Sequence, residues 1–173
     1  IRRPSNRIGI GWAAPTIFLA GTPEQHERYL PKIFSGEEFW CQLFSEPAGG
    51  SDVAAARTKA VRAPDGSGDW IIDGQKVWTS GAHLCNRGFA TVRTNPDAAK
   101  HAGISMMVID MHAEGMEVRP LRQITGHSHF NEVFFDQVFV PDADVVGPVD
   151  QGWTIARNTL GNERVSIGSG GDG

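Results

Sequence analysis

Three places in the chain combine side chains that do chemistry with a backbone that lets a ligand approach. The first is Ser45-Glu46-Pro47-Ala48-Gly49-Gly50-Ser51-Asp52, which follows the apolar run Phe39 to Phe44. Two glycines allow close backbone approach, and hydroxyls stand at either end, the makings of a loop that receives something polar and flat. The same eight residues also suit a Pro/Gly surface turn that binds nothing. The second is Trp70-Ile71-Ile72-Asp73-Gly74-Gln75-Lys76-Val77-Trp78-Thr79-Ser80-Gly81. Asp73-Gly74 between apolar runs predicts two antiparallel strands on a type I′ turn. Alternation then puts Trp78 and Ser80 on one face and Val77 and Thr79 on the other. An indole beside a hydroxyl suits the edge of an aromatic heterocycle. The third is Glu163, on a stripe with Trp153, Ala156, Leu160 and Ile167 at helical spacing. A carboxylate there is either ion-paired with an arginine or kept as a general base, because burial disfavours its charge.

The elements around these places read as follows. Thr22-Pro23-Glu24-Gln25 is a capping box with proline at the first helical position, predicting a helix from Pro23 to about Phe34 that Ser35-Gly36 stops. Pro31 falls inside it and predicts a kink or an early end. Ile17 to Ala20 reads as the tail of an earlier helix. Between the helical ends come strand patterns at Phe39 to Phe44, Thr58 to Arg62, Trp70 to Ile72, Phe89 to Arg93, Ile104 to Met111, Met116 to Leu121 and Asn131 to Val140. Regular spacing of short strands predicts an antiparallel barrel or sandwich, so the fold class is α+β. A final helix runs from about Gln151 to Ile167, with Gly161 its weak point.

Composition bounds the function. With 173 residues and 40% hydrophobic content the chain can bury a core, and a net charge of -4 spread over both signs presents no basic stripe. That argues against nucleic acid or a membrane surface as the main partner. Two cysteines, Cys41 and Cys85, with no signal-like start or long apolar run, fit a reducing, soluble compartment without a disulfide. The start at Ile1 and the glycine-rich 168–173 segment look like the edges of a piece of a longer chain.

The loop and the Trp78 strand, in this order, resemble the acyl-CoA dehydrogenase family. There a Ser/Thr-Glu-Pro-x-x-Gly-Ser-Asp segment and a later Trp-x-Thr/Ser after Asp-Gly-x-Lys hold FAD. The likeness runs from about Gly9 to Gly168. It implies cofactor contacts from Gln42, Leu43, Phe44, Ser45, Gly50 and Ser51 in one segment and Trp78, Thr79 and Ser80 in the other. Leu43 and Phe44 are bulkier than the family's usual pair and predict a reshaped flavin pocket. In the isovaleryl and long-chain types the catalytic base lies in the last helix seen here, directly before an arginine, as in Leu160-Gly161-Asn162-Glu163-Arg164. The resemblance therefore implies Glu163 as base, with Ser51, Asn162 and Arg164 toward the acyl-CoA substrate. It further implies α,β-dehydrogenation to the trans-2-enoyl-CoA, an electron-transfer flavoprotein as acceptor, a homotetramer or homodimer, and a cytoplasmic or, in a eukaryote, mitochondrial-matrix location. The implied domains are 1–37, the end of an N-terminal helical domain; 38–148, the middle β-domain; and 149–173, the first helix of a C-terminal bundle.

Other readings were weighed on the same residues. Within the fold, an acyl-CoA oxidase or flavin monooxygenase is an alternative; from another class, a non-catalytic β-domain that binds or assembles. His127-Ser128-His129 lacks a third ligand at metal spacing. There is no Gly-x-Gly-x-x-Gly between strand and helix, which leaves a Rossmann site unsupported. No nucleophile elbow surrounds any serine, so hydrolase chemistry fits poorly.

Overall fold

The computed structural model describes residues 5–49 and 52–168, with side chains through Val165. Three helices, α1 (Ala14–Ala20), α2 (Pro23–Ser35) and α3 (Gly152–Gly168), flank eight strands. The strands are β1 (Trp40–Leu43), β2 (Lys59–Arg62), β3 (Trp70–Ser80), β4 (Arg87–Arg93), β5 (Ile104–Asp110), β6 (Met116–Leu121), β7 (Phe130–Val140) and β8 (Val145–Val146). They form one sheet in the order β6-β7-β3-β2-β4-β5-β8, with β1 added alongside β4. The antiparallel expectation needs correction at two pairings: β1 and β2 each run parallel to β4. Both are joined to β4 by long excursions rather than tight turns, which is what parallel neighbours require.

The sheet folds over on itself as a sandwich without closing into a barrel. Leu43 of β1, Met107 and Ile109 of β5, and Val133 and Phe135 of β7 meet in one core between the two halves. A second core lies on the outer face of β1, β4, β5 and β8. There Trp40, Phe89, Met106 and Val146 pack against Ile17 of α1, Tyr29 and Ile33 of α2, and Ile155 and Ala156 of α3. All three helices thus bury their apolar sides against the face that also carries Gln42 and Phe44. That common seat brings a helix late in the chain next to a strand early in it.

Local sequence explains most of these elements. The Thr22 hydroxyl accepts from the Gln25 N–H at 3.2 Å, the Gln25 side chain accepts from the Thr22 N–H at 3.0 Å, and Gly36 ends α2 at φ 75°. Pro31 neither kinks α2 to an early end nor shortens it; the helix continues to Ser35. Pro31 and Glu27 are both exposed, so the gap that proline leaves in the hydrogen-bond ladder falls on the solvent side of α2. The Asp73-Gly74 hairpin expectation fails: β3 runs unbroken through these residues and pairs with β7 through two register shifts. Gly74 is there for close approach. A Cβ at its φ of 153° would sit 2.6 Å from Thr58 Oγ1 and 2.7 Å from Thr58 Cα. Asp73 instead accepts from the Gln137 backbone N–H at 2.9 Å and from its side-chain amide, locking the bulge across to β7.

Candidate active site

The Glu46 loop and the Trp78 strand are built as one unit. Ser45 carbonyl accepts from the Val77 N–H at 2.9 Å, which zips the end of the first segment to the second. Beneath that junction Lys76 is fully buried, and its ammonium donates to Glu46 Oε1 at 2.8 Å, Thr91 O at 2.8 Å and Phe44 O at 3.2 Å. Glu46 also accepts from the backbone N–H groups of Arg57 at 2.7 Å and Thr58 at 3.0 Å, closing the loop on its own base. Burial opposes ionisation of Glu46, but Lys76 and these two amides outweigh it and hold the carboxyl below its ordinary range. Burial pulls Lys76 downward against the pull of Glu46. With three acceptors converging on Nζ, the geometry is that of a charged ammonium.

Two residues beyond Lys76 the backbone of Trp78 is left-handed, at φ 58°, within the second register shift of β3. A non-glycine residue held there costs ~1–2 kcal/mol, and such strain collects at functional sites. Its effect is visible in where the side chains go. Trp78 stands 60% exposed, edge-on to Phe130 at 6.0 Å, and Ser80 is exposed beside it. Thr79 turns into the protein, its carbonyl accepting from Asn131 Nδ2 at 3.0 Å. Val77 is buried like Thr79, as simple alternation expects, and also borders the cleft.

Gln42, Phe44, Ser45, Val77, Trp78, Ser80, Phe130 and Glu163 line a common cleft of about 220 Å³, closed on one side by Ile8 and Trp12. Phe44 lines it and stacks edge-on with Phe89 at 5.4 Å. Leu43 has no part in its shape: it lies in the inter-sheet core, where Gly88 makes room for it, a Cβ there coming within 2.5 Å of Leu43 Cδ1. Glu163 is half-buried, with Oε2 accepting from Gln42 Nε2 at 3.4 Å. Asn162 is half-buried on α3 and Arg164 is exposed; neither lines the cleft. Gly50 and Ser51 lie outside the described residues. The apolar stripe of α3 exists, centred on Ile155, Ala156 and Thr159, with Thr159 Oγ1 bonded to Thr16 Oγ1 at 2.7 Å. Ile167, expected on the same stripe, lies beyond the described side chains.

Two roomier clefts, about 720 and 500 Å³, lie elsewhere on the surface. The first holds no residue of the two motifs and the second only Trp70, at the other end of β3 from Trp78, whereas the smaller cleft gathers a carboxylate, an amide, two hydroxyls and two indoles, so chemistry rather than volume marks the site. A cleft below the ~300–1,000 Å³ that encloses a whole drug-sized ligand suits one ring system with the rest outside. Lys76, Ile8, Trp12 and Phe130 escaped the sequence reading. For Trp12 the signal is faint: a π-helical turn, Gly9–Ala13, which widens the helix before α1. Among the described residues no group of three or more His, Cys, Asp or Glu is placed to hold a metal ion, and no helix is long and apolar enough to cross a membrane.

Comparison with known proteins gives this cleft its context. A family model described as the middle domain of acyl-CoA dehydrogenase matches residues 41–138. The chain is 58% identical over 170 residues to acyl-CoA dehydrogenase FadE34 of Mycobacterium tuberculosis, covering 98% of this chain and 23% of that protein. It is 43% identical over 166 residues to acyl-CoA dehydrogenase IpdE1 of Mycolicibacterium smegmatis, covering 92% of this chain and 42% of the relative. A solved structure described as the Tcur3481-Tcur3483 steroid ACAD superposes with a TM-score of 0.87 at 34% identity, over 95% of this chain and 42% of that one. The chain thus spans less than half the length of these relatives. On the family match and these identities together, the chain belongs to the acyl-CoA dehydrogenase family.

Proposed function

We propose that the protein to which this chain belongs oxidises an acyl-CoA thioester to the trans-2-enoyl-CoA, using FAD. The observation that carries the proposal is the convergence of the Glu163 carboxylate with Gln42, Ser45, Trp78 and Ser80 in one cleft, although Glu163 is over eighty residues from the nearest of them in sequence. The cleft fits a flavin by its chemistry. Gln42 Oε1 is buried with no partner, an acceptor waiting for a donor, and Trp78 and Ser80 present a flat ring and a hydroxyl beside it. Gln42 to Ser45 and Trp78 to Ser80 would hold the ring system, with Gly50 and Ser51 continuing the first segment. FAD supplies the hydride acceptor. Glu163 removes the proton from the carbon next to the thioester carbonyl as the hydride leaves the following carbon, so the acyl chain loses two electrons and two hydrogens. Ile8, Trp12 and Phe44 line the cleft beside the carboxylate, and Ser51, Asn162 and Arg164 serve the CoA side.

Family membership supports the wider reading: 1–37, 38–148 and 149–173 as parts of three domains, a homotetramer or homodimer, an electron-transfer flavoprotein as acceptor, and a cytoplasmic location. The test is anaerobic titration of the whole protein with straight-chain, branched and steroid side-chain acyl-CoA thioesters, the last because a relative is described as a steroid ACAD. Loss of the yellow flavin colour with one class, and slow return of colour in air, is expected. Rapid return in air assigns an oxidase, and no colour change with any thioester refutes the proposal.

A further inference from the structure

We infer that Gln42 is a positioning residue for Glu163: its side-chain amide fixes the carboxylate against the strand that carries the cleft. The inference rests on the reading of Glu163 as base. Ile155, Ala156 and Thr159 are buried and Leu160 packs against the same core, while Glu163, one turn on, is half-buried. What reaches the carboxylate is Gln42 Nε2, at 3.4 Å from Oε2. Gln42 itself sits on a rigid base, since β1 pairs with β4 at Gln42↔Phe89. The alternation of β1 sends Leu43 into the inter-sheet core and leaves Gln42 on the side of the helices.

The orientation of the amide follows from its partner. A carboxylate only accepts, so the nitrogen of Gln42 must face Glu163 and the carbonyl must turn away. That carbonyl oxygen is buried and without a partner. A buried polar atom left unsatisfied is costly and uncommon, and its residue lines the cleft that gathers the other candidate contacts. The donor end of the amide holds the base, and an apolar residue at this position cannot do so.

The experiment uses the whole protein and the variants Gln42→Met, Gln42→Glu and Glu163→Gln, with the double variant Gln42→Met/Glu163→Gln. Both changes at Gln42 keep the length of the side chain, so retention of the flavin spectrum and of the melting temperature to within a few degrees is checked first. Gln42→Met is expected to lower kcat about 10- to 100-fold with KM changed about threefold or less, the pattern of a misplaced group rather than lost binding. Deuteration of the substrate α-carbon should slow the variant more than the wild type, because proton removal becomes the slow step. Gln42→Glu sets a second carboxyl against Glu163, which either repels the base or shares its proton, and should be no better than Gln42→Met. A second readout needs no turnover: in the flavin-free protein, the melting shifts of Gln42→Met and Glu163→Gln should be non-additive in the double variant. The inference is overturned if Glu163→Gln abolishes bleaching while both Gln42 variants keep wild-type kcat and the melting shifts add. If Glu163→Gln itself bleaches at the wild-type rate, the reading of Glu163 as base fails, and the positioning role falls with it.

Discussion

Replacing Lys76 by methionine should cost the domain a large part of its stability, because the lysine is, among the described residues, the one cation paired with a buried carboxylate whose other partners are neutral amides. Methionine matches the stem of lysine in volume, so no cavity opens. What is lost is the ammonium and its bonds to Glu46 Oε1, Thr91 O and Phe44 O. Glu46 is 6% exposed, so it cannot be rehydrated in place. Breaking a buried pair from one side costs about 3–5 kcal/mol, against a typical total of about 5–15 kcal/mol. For a domain of this size that is a fall in Tm of roughly 6–20 °C. Thermal and urea unfolding of the variant and the parent measure it. The sign of the pH dependence is the sharper check. In the parent, the carboxyl of Glu46 is held below its ordinary value, so its contribution is present above about pH 4.3 and is lost as pH falls through the lower folded-state value. In Lys76→Met burial dominates and pushes that carboxyl up, so protonation now relieves the folded state. The deficit of the variant should therefore shrink between about pH 7 and pH 5. A loss under about 1 kcal/mol, or a deficit that grows on acidification, refutes the argument.

Two further changes test the strand that presents the site. Gly74→Ala puts a Cβ 2.7 Å from the Thr58 backbone at a φ of 153°, and should destabilise by about 2–3 kcal/mol by urea unfolding; a neutral or stabilised variant would mean that β2 moves freely there. Trp78→Gly relieves the left-handed strain and removes a mostly exposed ring, so stability should stay within about 1 kcal/mol of the parent. The proposed FAD site predicts a rise in the parent's melting temperature on adding FAD that is much reduced in this variant, and an equal rise in both would remove the indole from the cofactor site.

The parts of the structure that were legible in sequence are those set by nearest neighbours. The capping box at Thr22, the strand at Met116 to Leu121 and the apolar stripe of α3 each follow from residues a few positions apart. The misread element shows the limit. Asp73-Gly74 has the chemistry of a tight turn, but the glycine is demanded by Thr58 of the neighbouring segment and the aspartate by Gln137 of β7, and neither demand is visible within the dipeptide. The expected faces hold: Trp78 and Ser80 are exposed together, and Val77 and Thr79 are buried together. The candidate site was half legible. Its motifs stand out by residue type, but the Gln42 contact to Glu163 spans 121 positions, and burial of Lys76 depends on acceptors from two distant segments. Such long-range pairings are products of topology, which strand periodicity leaves open.

The claim at the centre of this account is that Glu163 takes the α-proton of an acyl-CoA at the edge of the Gln42 and Trp78 cleft. Its most direct test is Glu163→Gln in the whole protein, with flavin content and thioester affinity verified, followed by anaerobic stopped-flow bleaching with the best substrate. A general base of this kind contributes about 10²- to 10⁴-fold, and a loss of that size with binding intact is the predicted result. Bleaching near the wild-type rate would contradict it and leave Glu163 a structural partner of Gln42.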